Sequence, residues 1–376
     1  MGKKVLITGG AGFIGSYTAD RLLEEGYEVR LFDSLDPKIH PHGKPAYVSG
    51  DMELTVGDVR DREALRSTLQ GVNAIIHLAA YQDYLPDFST FFSTNAVSTA
   101  MLYELIVEDK LPIEKVIIAS SQFVQGEGLY RNSRGEIVSP DFRTREQLER
   151  GDWEHRDQWG EIMEWIPTPE THFVPPNAYA LSKASQEQQG IVFGKRYDIP
   201  TVVMRYSIVQ GSRHSFYNAY SGACRIFSLS YYFERAPTIY EDGKQVRDFV
   251  NIHDVVDANL LVMNDDRANY RVFCVGGGRP CTILEFDRIV AREFGLEHLE
   301  PSIPMLYRYG DTRHAVSDIS ALEALGWSPK RTVVDSVSEY AFYLRSQEGL
   351  KDIIGEVENQ MKGMNVLGRA TKDKRD

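Results

Sequence analysis

Residues 3–15, Lys3-Lys4-Val5-Leu6-Ile7-Thr8-Gly9-Gly10-Ala11-Gly12-Phe13-Ile14-Gly15, decide how the rest of the chain is read. A short apolar run leads into a glycine turn. The turn opens onto helical apolar spacing at Phe13, Ile14, Ala19, Leu22 and Leu23. Gly9, Gly12 and Gly15 recur at every third position. In a strand–turn–helix context the first glycine permits the tight turn. The second lets a pyrophosphate approach the main chain, and the third lets helix and strand pack closely. The free N–H groups and positive dipole end of the helix then face the anion. Gly26 closes the helix, residues 28–32 form the next strand, and Asp33 stands at its carboxyl end. A carboxylate there accepts from ribose hydroxyls and repels a 2′-phosphate, which selects NAD over NADP.

The alternation continues outward. Strands are predicted at 53–56, 73–78, 115–120 and 200–205, with helices near 61–69, 89–108 and 178–196. This is the pattern of an α/β chain with one doubly wound parallel sheet, a Rossmann-type domain over residues 1–210. Two regions break the rhythm. Residues 127–172 are too long for a loop in a compact domain and hold Trp153, Trp159 and Trp165, so they read as an insertion with a small helix near 145–153. Trp153, Trp159 and Trp165 read as a small apolar patch or a lid. Residues 211–345 read as a smaller α/β substrate lobe over the carboxyl ends of the strands. Residues 346–376 form a tail that is polar, and expected to be poorly ordered, from about 363.

Bulk properties narrow the function. The chain has 376 residues and a formal net charge of −12, against the basic excess of a nucleic-acid binder. There is no apolar run of membrane-spanning length, and the chain reads as cytoplasmic. Cys224, Cys274 and Cys281 are not spaced as a disulfide framework or a zinc motif. No metal is expected.

Tyr179 and Lys183 lie four apart in NAYALSK on a predicted helix, so both side chains share one face. A phenol titrating near 10 is a poor base at neutral pH. A neighbouring ammonium and a positive nicotinamide ring stabilise its phenolate, and Tyr179 can then take a hydroxyl proton while hydride leaves. Ser121, at the end of KVIIASS, is placed to hydrogen-bond the same oxygen. No Gly-x-Ser-x-Gly elbow surrounds it, which disfavours hydrolase chemistry. His77 reads as a strand-end histidine. A regulator that binds NAD without chemistry would not need the Tyr/Lys pair.

The ordered series TGGAGFIG, GDVRD, HLAA, ASSQFVQGEG, YALSK, MRYSIVQGSR, EDGKQVRDFVNIHDV and GDTRHAVSDIS resembles the extended short-chain dehydrogenase/reductase family, in particular its nucleotide-sugar epimerases and dehydratases. The resemblance covers about residues 3–345. It implies a cofactor set of Gly9, Gly12, Phe13, Ile14, Gly15, Asp33, Asp58, Val59, Leu78, Ala79, Ala80, Asn95, Tyr179 and Lys183. It also implies a substrate set of Gln122, Arg213, Arg247 and Arg313, with Arg247 and Arg313 gripping a sugar nucleotide's pyrophosphate. Gln122 and Phe123 stand where the dehydratases carry an Asp-Glu pair, so 4,6-dehydration is disfavoured and 4-epimerisation leads. Epimerisation at C2 or C3/C5 and 4-keto-sugar reduction are the alternatives. Ile208 stands where the family often has an asparagine. The insertion is most similar to that of the dTDP-L-rhamnose 4-epimerase branch, without its cysteine pairs. A homodimer through the helices near 89–108 and 178–196 is implied as well.

Overall fold

The computed structural model describes residues 2–83, 85–216, 222–350, 352, 354–355 and 367–371. The first half runs β1 (Lys4–Thr8), α1 (Phe13–Glu24), β2 (Glu28–Asp33), β3 (Glu53–Val56), α2 (Arg62–Thr68) and β4 (Ala74–His77). Next come α3 (Phe88–Phe91), a π-helical turn (Phe92–Val97), α4 (Ser98–Glu108) and β5 (Lys115–Ser121). The insertion holds β6 (Leu129–Arg131), β7 (Ile137–Val138), α5 (Arg145–Glu149) and β8 (Glu164–Ile166). After it come α6 (Ala178–Tyr197), β9 (Thr201–Tyr206), β10 (Ile208–Gln210), α7 (Ala223–Tyr232), β11 (Val246–Arg247) and β12 (Phe249–Asn251). The chain continues with α8 (Ile252–Asn264), β13 (Arg271–Val275), β14 (Cys281–Thr282), α9 (Ile283–Phe294), β15 (Leu306–Arg308), α10 (Ser320–Glu323), α11 (Val333–Arg345) and β16 (Leu367–Arg369).

Seven parallel strands form the main sheet in the order β13-β9-β5-β4-β1-β2-β3. β1 pairs with both β2 and β4, so strand order reverses beside it, where a doubly wound sheet opens its ligand crevice. Alternation along each strand makes two cores. Val5, Ile7, Leu31 and Ile76 face α1 and α8, while Leu6, Phe32, Ile75 and Ile118 face α2 and α4. Helix entry is chemically marked: Asp61 caps α2, Asn177 caps α6, and Thr282 with Glu285 forms a capping box on α9.

The predicted strands and helices of residues 3–206 fall in place within about two residues. Two expectations for the C-terminal part do not. α8 packs against α1, and β13 pairs with β9, so residues 252–275 complete the sheet domain rather than the smaller lobe. The lobe itself is built by α7, α9 and α11 around Phe227, Phe286, Val290, Val337 and Tyr340. Residues 367–371 of the tail also depart, while 356–366 and 372–376 lie outside the described residues. β16 pairs antiparallel with β15, and Ala370 is buried with Leu148, Trp153 and Tyr307. That cluster ties tail, insertion and lobe together.

The insertion is a three-stranded antiparallel sheet, β7-β6-β8, with α5 at the expected place. The three tryptophans do not form one patch: Trp153 is buried near Tyr307, Trp165 lies against His314, and Trp159 is exposed under the Arg134 guanidinium. Among the described residues no helix is long and apolar enough to cross a membrane.

Candidate active site

The glycine turn has the shape its spacing demands. Gly9 adopts φ +67°, and a Cβ there would lie 2.8 Å from Ala79 N. A Cβ on Gly15 would sit 2.3 Å from Gly9 O, so α1 touches the turn main chain to main chain. At Gly12 an added Cβ meets only Gly9 O, at 3.2 Å, and otherwise points into open space. Gly12 is also the N-cap of α1, and no side chain caps it, so the first-turn N–H groups are left for an anion. This is a cradle for a pyrophosphate. Ile14 is half-buried against the core, and the Phe13 ring stacks on His214 at 4.9 Å.

Asp33 is buried at the end of β2 and braces the turn: Oδ2 accepts from Ala11 N at 3.0 Å and Oδ1 from Leu35 N at 2.9 Å. Each carboxylate oxygen keeps a further lone pair for a ribose hydroxyl. Asp58, two residues past the end of β3, forms a bidentate pair with Arg60, and Val59 points into the core. Leu78 and Ala79 are half-buried and Ala80 is exposed at the end of β4. His77 pins the two strands beneath. Burial, with Lys183 nearby, lowers its pKa to about 3, so the ring is neutral between Thr8 Oγ1 at 2.7 Å and Thr99 Oγ1 at 3.1 Å.

Asn95 departs from the expected direct contact. It is fully buried; Oδ1 accepts from Tyr81 N at 2.7 Å, and Nδ2 donates to Tyr81 O at 3.0 Å and Ser182 Oγ at 2.8 Å. It staples the loop after β4 to α6, beside Lys183.

α6 brings Tyr179 and Lys183 to the end of β5. The Tyr179 phenol lies close enough to Ser121 for that hydroxyl to weigh on its pKa, and its ring meets the Phe123 ring edge-on at 6.4 Å. Burial pushes the phenol up to about 12, opposed by the Ser121 hydroxyl. Burial lowers Lys183 to about 7, opposed by the carboxylate of Glu187. Lys183 Nζ donates to Ala119 O at 2.9 Å, which fixes it beneath the tyrosine. Glu187, one turn further along α6, accepts from both Arg205 Nε and Nη2 at 2.8 Å and from Ser120 Oγ. Gln122 is buried next to Ser121 with Oε1 unpartnered.

The arginines separate. Arg247 donates from Nη1 to Val246 O and Arg313 O, both at 2.9 Å, and from Nη2 to Thr312 O at 2.8 Å. Of the five guanidinium N–H groups, the Nε–H and one Nη2–H remain. Arg313 has none to spare. It is fully buried, and its five N–H groups go to Glu154, Glu241 and Asp242 at 2.5–3.1 Å. A pyrophosphate grip by Arg313 is therefore corrected: the ligand would have to displace a carboxylate. Arg308 lies nearby: its Nε donates to Asp311 Oδ2 at 2.7 Å, its guanidinium is partly exposed and 5.2 Å from the centre of the Tyr240 ring, and it is near enough to Arg247 to weigh on its pKa. Arg213 pairs with Asp20 of α1 at 2.7 Å and lies over the Tyr17 and Tyr47 rings. Those partners belong to the dinucleotide half of the molecule. Among the described residues no group of three His, Cys, Asp or Glu side chains is arranged to hold a metal.

The model of the NAD dependent epimerase/dehydratase family matches residues 5–147 and 160–276. The chain belongs to that family. NAD is accordingly its cofactor, in keeping with the cradle at Gly12. A curated relative from Burkholderia thailandensis, dTDP-L-rhamnose 4-epimerase, is 33% identical over 354 residues, 92% of this chain and 96% of the relative. Among solved structures, UDP-glucose 4-epimerase from Thermotoga maritima with UDP-glucose superposes with a TM-score of 0.74 at 27% identity, over 91% of this chain and 98% of that one. UDP-N-acetylglucosamine 4-epimerase from Methanobrevibacter ruminantium also reaches 0.74, at 25% identity over 92% and 99%. The gap in the family match, residues 148–159, falls inside the insertion and contains Glu154.

Proposed function

We propose that this family member is a nucleotide-sugar 4-epimerase acting by transient oxidation at C4. One observation carries the reading: Tyr179, beside Ser121 and one helical turn from buried Lys183, stands where Gln122 and Phe123 supply no acid–base carboxylates. Without such a pair, water elimination has no catalyst, and proton transfer at a single hydroxyl remains.

Gly9, Gly12 and Gly15, the first turn of α1, Asp33 and the small residues ending β4 would hold NAD, which when bound supplies a reversible hydride acceptor. Tyr179 takes the proton of the C4 hydroxyl as the C4–H bond breaks and C4 becomes a ketone. Ser121 holds that oxygen throughout. Lys183 in its ammonium form lends positive charge that favours the phenolate against the burial that holds the phenol up. Arg247 and Arg308 grip the pyrophosphate while the 4-keto sugar turns over, and Tyr179 returns the proton on reduction of the other face. The 33%-identical relative favours a dTDP-6-deoxyhexose, and the Thermotoga structure a UDP-hexose. The protein acts as a homodimer through the outer faces of α3, α4 and α6.

Incubating purified protein with dTDP- and UDP-hexoses, without added NAD, tests this by proton NMR. Inversion at C4 is expected with one of them. Inversion at C2, C3 or C5, or a dehydrated 4-keto product, would replace the reading.

A further inference from the structure

The insertion reaches the segment that holds Arg247. Residues 311–314 run between β11 and the insertion, and the insertion grips them at each step. Arg143 Nη2 donates to Asp311 O at 2.8 Å, and Arg313 N donates to Glu127 Oε2 at 2.9 Å. Thr312 Oγ1 donates to Gly126 O at 3.4 Å, where the insertion begins. Glu154, after α5, takes Arg313 through Oε1 and faces His314 Nε2 through Oε2 at 3.1 Å. His314 Nδ1 accepts from Val246 N at 3.1 Å, so the proton sits on Nε2 and is donated to Glu154. Across the cluster Glu241 receives both Arg143 and Arg313, each at 2.9 Å.

Two of the three carbonyls that orient Arg247 belong to Thr312 and Arg313, inside this gripped segment. A bidentate guanidinium–phosphate contact depends on the fork's angle, so whatever fixes those carbonyls fixes the fork.

We propose that the insertion is a strut for the nucleotide subsite, and that Glu154 is a positioning residue which, through Arg313 and His314, aims Arg247 at the pyrophosphate. The proposal rests on the assignment of Arg247 to that pyrophosphate. It gives Arg313 a role it cannot play by contact. It also places a positioning element in residues 148–159, outside the family match.

The test uses the full-length holoenzyme and measures calorimetric binding of dTDP and UDP to wild type, Arg247→Ala, Glu154→Ala and Glu154→Gln, with kinetics on the active sugar nucleotide. Glu154→Ala is expected to weaken nucleotide binding and raise KM by about tenfold or more, with kcat falling much less and NAD content unchanged. Glu154→Gln keeps an acceptor for Arg313 and is expected to fall between, which supplies the reading should Glu154→Ala fail to fold. Binding lost in Arg247→Ala but unchanged in the folded Glu154 variants overturns the inference alone. Wild type that binds neither nucleotide, or Arg247→Ala that binds as wild type does, overturns the subsite assignment beneath it.

Discussion

At the scale of single residues, the site is set by where charge can and cannot be solvated. Lys183 is fully enclosed, and its ammonium has one carbonyl partner, Ala119 O. Burial brings its pKa from 10.5 to about 7 in the folded chain. The folded state therefore disfavours the proton that the unfolded chain binds. The cost is full below about pH 7 and is relieved as pH rises towards 10.5. Replacing Lys183 with Met should stabilise NAD-stripped protein relative to wild type at pH 6 by on the order of 4 kcal/mol. The advantage should shrink steadily towards pH 10. Urea denaturation across that range reads it, and an advantage independent of pH would show that the ammonium is not strained. The same variant should lose turnover by about a hundredfold or more, because the phenol, already held up by burial, then lacks its neighbouring ammonium.

At the scale of elements, legibility follows locality. The glycine turn, the acid at the end of β2 and the Tyr/Lys pair are read within one turn or one helix face, so spacing alone places them. β13 escaped because its five residues, RVFCV, follow the lobe's first strands in sequence while pairing with β9 far behind. Arg313 was misread for the same physical reason: Glu154, Glu241 and Asp242 arrive from separate segments, and no spacing shows that they converge. α6 also carries information on its outer face. Leu181 and Val192 lie three turns apart on one stripe, 46% and 52% exposed, beside Phe88, Phe92 and Val97 of α3 to α4. Exposed apolar side chains on two adjacent helices fit the dimer interface proposed above. Sedimentation should show a dimer, and Phe88→Glu combined with Leu181→Glu should give a folded monomer. A wild-type monomer at micromolar concentration would rule the interface out.

At the scale of the whole molecule, three bodies meet over the carboxyl ends of one sheet. The sheet domain supplies the dinucleotide cradle and the Ser121–Tyr179–Lys183 group. The lobe carries Arg247 and Arg308, and the insertion is bonded to residues 311–314, two of whose carbonyls accept from Arg247, while the tail strand β16 pairs with β15 and Ala370 packs with the insertion. The acidic net charge is no obstacle to an anionic substrate, since the local guanidinium groups dominate at contact distance. On the proposed mechanism Tyr179 takes and then returns the proton of one hydroxyl, while the carbon that bears it is oxidised with bound NAD as hydride acceptor and then re-reduced. A sugar nucleotide carrying deuterium at C4, incubated with the protein in ordinary water and followed by NMR, tests it most directly. The account expects an inverted product that keeps the deuterium at C4, with no net consumption of NAD and no turnover in Tyr179→Phe. Loss of the label to solvent, or oxidised product formed in step with NAD reduction, would contradict it.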